Sequence, residues 1–266
     1  MGPNGGIDRT MGPESDLGKL TGIDTKNANK LIRSERRHVQ APLTPKHNGV
    51  AIVGMKLITN PFRGIGMLHV TLEQVPAPSQ DATAARALLE RCPRAEATPL
   101  QNAEQLAQSI GVGHILLKDE RARMGLGSFK ALGAAYVIAC DARDGKAVGQ
   151  TYVTASAGNH GLSVAAGAAA FGAKARIFIA ETVPETFANR LRSIGAEVVR
   201  KGTVYEESMA AAAEAARDDG AVLLSDSSWV GYTERPHRLM EGYLALMAEV
   251  TDEMAAPPTH IFLQAG

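Results

Sequence analysis

From about residue 114 onward the chain alternates short apolar runs with segments of helical length, and this limits its fold more than anything else in it. Residues 114–118, 151–154, 175–180, 197–199, 221–224 and 260–263 read as strands. Residues 128–143, 159–171, 184–195, 205–217 and 234–254 between them read as helices, several closed by glycine (Gly172, Gly195, Gly220). Short, mostly apolar strands alternating with helices are buried on both faces, and helix-length connections join parallel neighbours. The expected architecture is α/β: open, mostly parallel sheets with helices on both faces, wound with right-handed crossovers. Two shorter helices, 84–91 and 103–110, precede this region and are separated by Pro93 and Pro99.

Residues 1–54 differ from the rest. They contain no Phe, Tyr or Trp and are rich in Gly, Pro, Asn and unpatterned charge. Such a stretch buries too little apolar surface to offset its ordering entropy, so a disordered extension is expected, with Met55 an alternative start.

Composition removes several function classes. Lys and Arg number 28 against 28 Asp and Glu, so there is no basic footprint for nucleic acid or an anionic membrane. Cys92 and Cys140 are too few for a disulfide framework, which fits a reducing, cytoplasmic compartment. The small-residue run 162–171 is too short to span a bilayer.

Four places could carry chemistry. In the first, 118–130, a strand leads through Gly125 and Gly127 to Lys130 in the first turn of a helix. The positive end of the helix dipole and the apolar neighbours Phe129 and Leu132 would favour the neutral amine, the form that attacks carbonyl carbon. Spacing leaves an ordinary solvated or phosphate-contacting lysine open as well; the segment lacks the Gly-Lys-Ser/Thr ending of a P-loop. In the second, Ser156-Ala-Gly-Asn-His160 joins a strand to a helix made of Ala and Gly, where free amides and a hydroxyl suit an anion. A plain helix cap and a core histidine are the alternatives. The third, Asp226, follows a strand at the end where α/β sheets bind ligands; a capping aspartate is the alternative, and the lone Trp229 reads as a core or interlobe anchor. The fourth is 263–266, a strand running into Gly266.

Taken together these segments resemble the fold-type II family of pyridoxal-5′-phosphate (PLP) enzymes, which includes tryptophan synthase β, threonine synthase and the serine/threonine dehydratases. Within that family they look most like the diaminopropionate ammonia-lyases. The residues that carry the likeness are Thr98-Pro-Leu100, Lys118-Asp-Glu120, Gly127-Ser-Phe-Lys-Ala-Leu-Gly133, Gly158-Asn-His-Gly161, Asp226-Ser-Ser-Trp-Val-Gly-Tyr232 and 258–266. They follow the family order over roughly 60–266.

The resemblance implies a two-lobed enzyme with PLP in the cleft, a smaller lobe of 114–226 and a larger lobe of 60–113 plus 227–266. It implies that Lys130 holds PLP, that Asn159 bonds the oxygen on the cofactor ring and that Phe129 packs nearby. Ser156, Gly158 and Asn159 would bind the carboxylate of a small amino-acid substrate with His160 beside them, and Asp226 would be a proton-transfer group. The implied reaction is β-elimination of 2,3-diaminopropionate or a related amino acid to pyruvate and ammonia, by a cytoplasmic homodimer. Serine/threonine dehydration is the alternative.

Two departures qualify this. The lyases usually carry Asp-Gly-Asn-His, with the aspartate assigned as base for the D-isomer, whereas this chain has Ala157. Loss of activity on the D-isomer is therefore expected, with L-substrates or 3-hydroxy amino acids favoured. The family's phosphate-binding glycine loop would follow Gly266, so the sequence reads as truncated, with an incomplete large lobe. A non-catalytic homologue is the alternative of a different class.

Overall fold

The computed structural model describes residues 76–263. The expected extension 1–54, the first part of the large lobe and residues 264–266 lie outside them. In chain order the elements are α1 (Thr83–Leu89), β1 (Leu100–Asn102), α2 (Glu104–Ile110), β2 (Leu116–Lys118), a 3-10 segment (Glu120–Gly125), α3 (Lys130–Arg143), β3 (Thr151–Ala155), α4 (Asn159–Ala170), β4 (Lys174–Ile179), α5 (Glu185–Ser193), β5 (Glu197–Arg200), α6 (Tyr205–Asp218), β6 (Val222–Leu223) and α7 (Glu234–Glu253).

The main sheet is parallel and four-stranded, in the order β5-β4-β3-β6. Alternation along each strand sends side chains to two different layers. Tyr152, Ile177, Ile179 and Leu224 point into a core closed by α3, α4 and α5, whereas Val153, Ala155 and Phe178 point toward α6. Both faces are covered over the apolar centre of the sheet, while Arg176 of β4 and Glu197 of β5 pair at its exposed end.

Small residues set how closely the helices approach. A Cβ on Gly167 of α4 would lie 2.9 Å from Ile138 of α3. A Cβ on Gly133 of α3 would lie 2.6 Å from the Tyr243 ring, and one on Gly242 of α7 would lie 2.6 Å from the Leu132 carbonyl oxygen. The α3–α7 crossing is thus tight from both sides. It places α7 against the start of α3, where Phe129 meets Tyr243 edge-on with ring centres 5.1 Å apart.

Three expectations need correction. Residues 114–118 are not a buried strand of the main sheet. Only Leu116–Lys118 is extended, it pairs antiparallel with β1, and Leu116 and Leu117 are exposed. Its partner Leu100-Gln-Asn has neither a β-branched nor an aromatic residue, so nothing local announced it. Residues 260–263 form no strand and Phe262 is 92% exposed; an apolar run becomes a strand only where a neighbour supplies a hydrogen-bond ladder. Trp229 is not a core anchor: it stacks on Tyr232 within one turn, centroids 4.4 Å apart.

Candidate active site

The order of the main sheet decides where a site can form. From β3 the chain steps outward through α4 to β4 and α5 to β5, then crosses back beneath α6 to β6 on the other side of β3. The connections leaving β3 and β6 diverge, and a crevice opens beyond their carboxyl ends. Ser156–His160 leaves β3 at that point and Ser225-Asp226 leaves β6.

Lys130 reaches the crevice from the side as the first residue of α3, its N–H donating to Ser128 Oγ at 3.1 Å. Its Nζ lies 2.7 Å from Asp226 Oδ2, across 96 residues of sequence. The lysine side chain is 35% exposed and the aspartate side chain 20%. This differs from the desolvated, uncharged surroundings expected for Lys130, because its nearest polar partner is a carboxylate that the sequence did not pair with it.

Burial works against the Asp226 carboxylate, but His160 and the Lys130 ammonium beside it outweigh that and hold its pKa below the ordinary aspartate range. The position of Asp226 is fixed from behind. Tyr232 donates its hydroxyl to the Leu223 carbonyl and accepts the Ser225 N–H at 3.0 Å, and Ser225 Oγ accepts the Ser227 N–H.

His160 lies beneath this pair and is 1% exposed. Its Nε2 is 2.8 Å from the Leu224 carbonyl oxygen, which requires the proton on Nε2 and leaves Nδ1 as an acceptor. That Nδ1 is buried without a partner among the described residues, as is Thr154 Oγ1. Burial, more than any neighbour, pushes the imidazole pKa down. The residue is thus a core histidine with one face left unsatisfied.

At the start of α4, Gly158 is the N-cap and no side chain caps the helix; its N–H is bonded to Ser156 Oγ at 3.3 Å. The first amides of the helix have no intrahelical acceptor and are free for a ligand. Gly158 and Asn159 are exposed. Gly161 has no room for a Cβ, which would collide with the Ser156 carbonyl oxygen, and so the loop can fold tightly back over the strand end. Two residues near the crevice were not foreseen. Tyr205, opening α6, is 47% exposed and sits beside Ser227 within the field of Asp226, and its partial burial raises its pKa. Tyr243 is pushed up likewise, mainly by burial. The rule that ligands gather beyond strand carboxyl ends would have found Tyr205, which follows β5.

Of the seven residues singled out, the structure joins Lys130 to Asp226 with His160 buried beneath them, while Ser156, Gly158 and Asn159 lie on the β3–α4 connection that leads into His160 and Phe129 directly precedes Lys130 against Tyr243. A primary amine, an exposed carboxamide, a flat apolar side chain and free helix-start amides are a donor set that suits an anionic aromatic aldehyde. Among the described residues no three His, Cys, Asp or Glu side chains converge as a metal site.

The family model for "Pyridoxal-phosphate dependent enzyme" matches residues 93–266. The chain belongs to that family. Diaminopropionate ammonia-lyase of Salmonella typhimurium is 34% identical over 201 residues, which cover 66% of this chain and 50% of the relative. A serine dehydratase-like protein of Rattus norvegicus is 31% identical over 180 residues, covering 66% and 51%. Among solved structures, Escherichia coli diaminopropionate ammonia lyase in complex with an aminoacrylate-PLP azomethine reaction intermediate aligns at a TM-score of 0.67 and 32% identity, covering 71% of this chain and 54% of that one. The chain spans about half the length of the curated relatives it matches. Family membership makes pyridoxal 5′-phosphate the cofactor, and the α/β fold is the family's.

Proposed function

We propose that this chain carries the catalytic lysine region of a PLP-dependent ammonia-lyase that eliminates the β-substituent of 2,3-diaminopropionate or a related amino acid. The products are pyruvate and ammonia. The observation that carries this reading is the Lys130–Asp226 pair, 2.7 Å apart above the crevice between β3 and β6. Lys130 would hold the cofactor through its amine and would move the proton at the substrate Cα. Asp226 orients that amine and exchanges protons near the substrate's amino end. Asn159 offers its carboxamide to the oxygen on the cofactor ring, and Phe129, braced by Tyr243, packs beside it. Ser156, Gly158 and Asn159 receive the substrate carboxylate on the free amides of α4, while His160 supports them from beneath. When bound, PLP provides the electron sink that makes the α-proton removable.

Residues 114–226 form the smaller lobe in this reading, and 60–113 with 227–266 belong to the larger one. The protein acts as a cytoplasmic homodimer on a small amino acid, without nucleic acid or membrane. Among the described residues no helix is long and apolar enough to cross a membrane.

A serine/threonine dehydratase is the second reading. Ala157 favours it, as does similarity to the rat dehydratase-like protein. The deciding experiment is incubation with PLP, borohydride reduction and peptide mapping by mass spectrometry. A pyridoxyl group confined to Lys130, with pyruvate released from L-diaminopropionate, supports the lyase. Label scattered over surface lysines, or none, leaves a non-catalytic homologue.

A further inference from the structure

The segment 226–232 brings more than Asp226 to the crevice, because its last residue, Tyr232, folds back onto the strand from which the segment leaves. That strand, β6, is only Val222–Leu223 and stands at the outer edge of the described sheet. An edge strand presents carbonyl and amide groups that no further strand bonds. Just beyond β6, Leu224 and Ser225 are both 0% exposed, so their backbone groups need partners.

The two edges of this strand end are bonded differently. On the inner edge, Leu224 donates its N–H to the Val153 carbonyl of β3 at 2.8 Å, and its own carbonyl oxygen lies 2.8 Å from His160 Nε2. On the outer edge, the Tyr232 hydroxyl donates to the Leu223 carbonyl at 2.9 Å and accepts the Ser225 N–H at 3.0 Å. A residue of a parallel neighbouring strand would donate to one carbonyl and accept from the N–H two places on. The hydroxyl is both donor and acceptor, and makes that pair of bonds alone. A tight reversal of the chain brings it there: Trp229 and Tyr232 exchange backbone hydrogen bonds, their ring centroids are 4.4 Å apart, and Gly231 takes a φ of 85°. Ser225 Oγ in turn accepts the Ser227 N–H, so Asp226 lies between two anchored residues.

We propose that Tyr232 is a positioning residue: its hydroxyl stands in for a neighbouring strand and so holds the Asp226 carboxylate within proton-transfer reach of Lys130. The inference rests on the lyase reading, in which Asp226 exchanges protons beside Lys130, and names what keeps it there. The 2.7 Å contact between Lys130 Nζ and Asp226 Oδ2 is a single one, so a small shift of the strand end breaks it. Before Lys130 can attack the PLP aldehyde its ammonium must give up a proton, and Asp226 is the acceptor in contact with it. The neutral amine then adds to the aldehyde carbon, the aldehyde oxygen leaves as water with the two remaining amine protons, and a carbon–nitrogen double bond is left. A carboxylate displaced by about 1 Å loses much of its effect on such a step.

The test follows the rate of PLP attachment to the full chain by visible absorbance, with borohydride mapping of the end product and no reliance on turnover. Tyr232→Phe removes only the hydroxyl. It should slow attachment about 10–100-fold while the final label stays on Lys130. Emission from Trp229, the one tryptophan of the chain, should be unchanged because its stack is kept. In an Asp226→Asn background the same substitution should slow attachment no further, since it acts through the carboxylate. Gly231→Ala strains the turn without a clash, as nothing lies within 4 Å of an added Cβ. It should give a smaller loss in the same direction even if Tyr232→Phe fails to fold. Attachment as fast as in the parent in either folded variant, or an equal loss with and without the Asp226 carboxylate, overturns the positioning role alone. Absence of label at Lys130 in the parent overturns the lyase reading and the positioning role with it.

Discussion

Two charge clusters lie against α7, one near its C-terminal end and one beside Tyr243 at its middle, and are built on different principles. Near its C-terminal end, the Arg123 guanidinium is 1% exposed and fully engaged. It contacts Glu249 at 2.6 Å and Glu120 at 2.8 Å, Thr98 Oγ1 at 3.0 Å and the Glu96 carbonyl oxygen at 3.0 Å. Lys118 adds a contact to Glu249 at 2.8 Å. Burial alone would lower the Arg123 pKa, but its bonds to Glu120 and Glu249 raise it overall. Near Tyr243, by contrast, Lys130 and Asp226 form a single contact with the lysine side chain 35% exposed, above an imidazole nitrogen that has no partner among the described residues. A satisfied buried network holds one arrangement, whereas an open one retains free valence for a ligand. The first cluster ties the turn before Lys130 to α7, and the second presents Lys130.

The contrast breaks most directly at Lys130. Lys130→Ala should lower pyruvate release by at least about 10²–10⁴-fold and abolish the pyridoxyl label, with thermal unfolding little changed. Arg123→Met should do the reverse. It leaves the partly buried Glu120 without its cation and Glu249 with Lys118 alone, and should cost up to about 3–5 kcal/mol in urea unfolding. Equal loss of stability in the two variants would erase the distinction between the clusters. At the α3–α7 crossing that joins them, Gly133→Ala pushes a methyl into the Tyr243 ring and should cost about 1–3 kcal/mol by the same assay.

The smallest expected effect is in pH dependence. Burial lowers the folded-state pKa of His160 below its ordinary 6.5. The unfolded chain therefore takes up a proton there that the folded chain refuses. The contribution is fully present above about pH 6.5 and is lost as pH falls toward the lowered folded value. His160→Gln should flatten the stability profile between pH 7 and 5 relative to the parent. Asp226 acts lower still, its contribution present above 3.8 and lost only as pH falls through its depressed folded value. Arg123 stays charged throughout but holds the Glu249 pKa down against burial, so an Arg123 variant should lower this profile and change its slope only toward the carboxylate range, away from the His160 window.

Much of the fold could be read because its causes are local. Apolar runs at 151–154 and 175–180, and helices ending at Gly172 and Gly195, appear where expected to within a residue or two. The β1–β2 ladder could not be read, since Leu100-Gln-Asn becomes a strand only through pairing with Leu116–Lys118. The site was legible as a set of residue types: lysine at a helix start, a Ser-Ala-Gly-Asn-His turn, an aspartate after a strand. Its partnerships were not. Asp226 is 96 residues from Lys130, and Glu249 is 126 residues from Arg123.

The sequence by itself determined the alternation of strands and helices, the small-residue helix α4 and the motif order that marks a PLP enzyme, because backbone propensity, apolar periodicity and motif chemistry act over a few neighbouring residues. Only the tertiary structure decided that Asp226 faces Lys130, that one nitrogen of His160 is left unpaired among the described residues and that Arg123 is sealed between two glutamates. Each of these depends on which strand lies beside which. Strand order is set by packing the whole sheet between its helices, so the contacts that define the site exist only once that packing is complete.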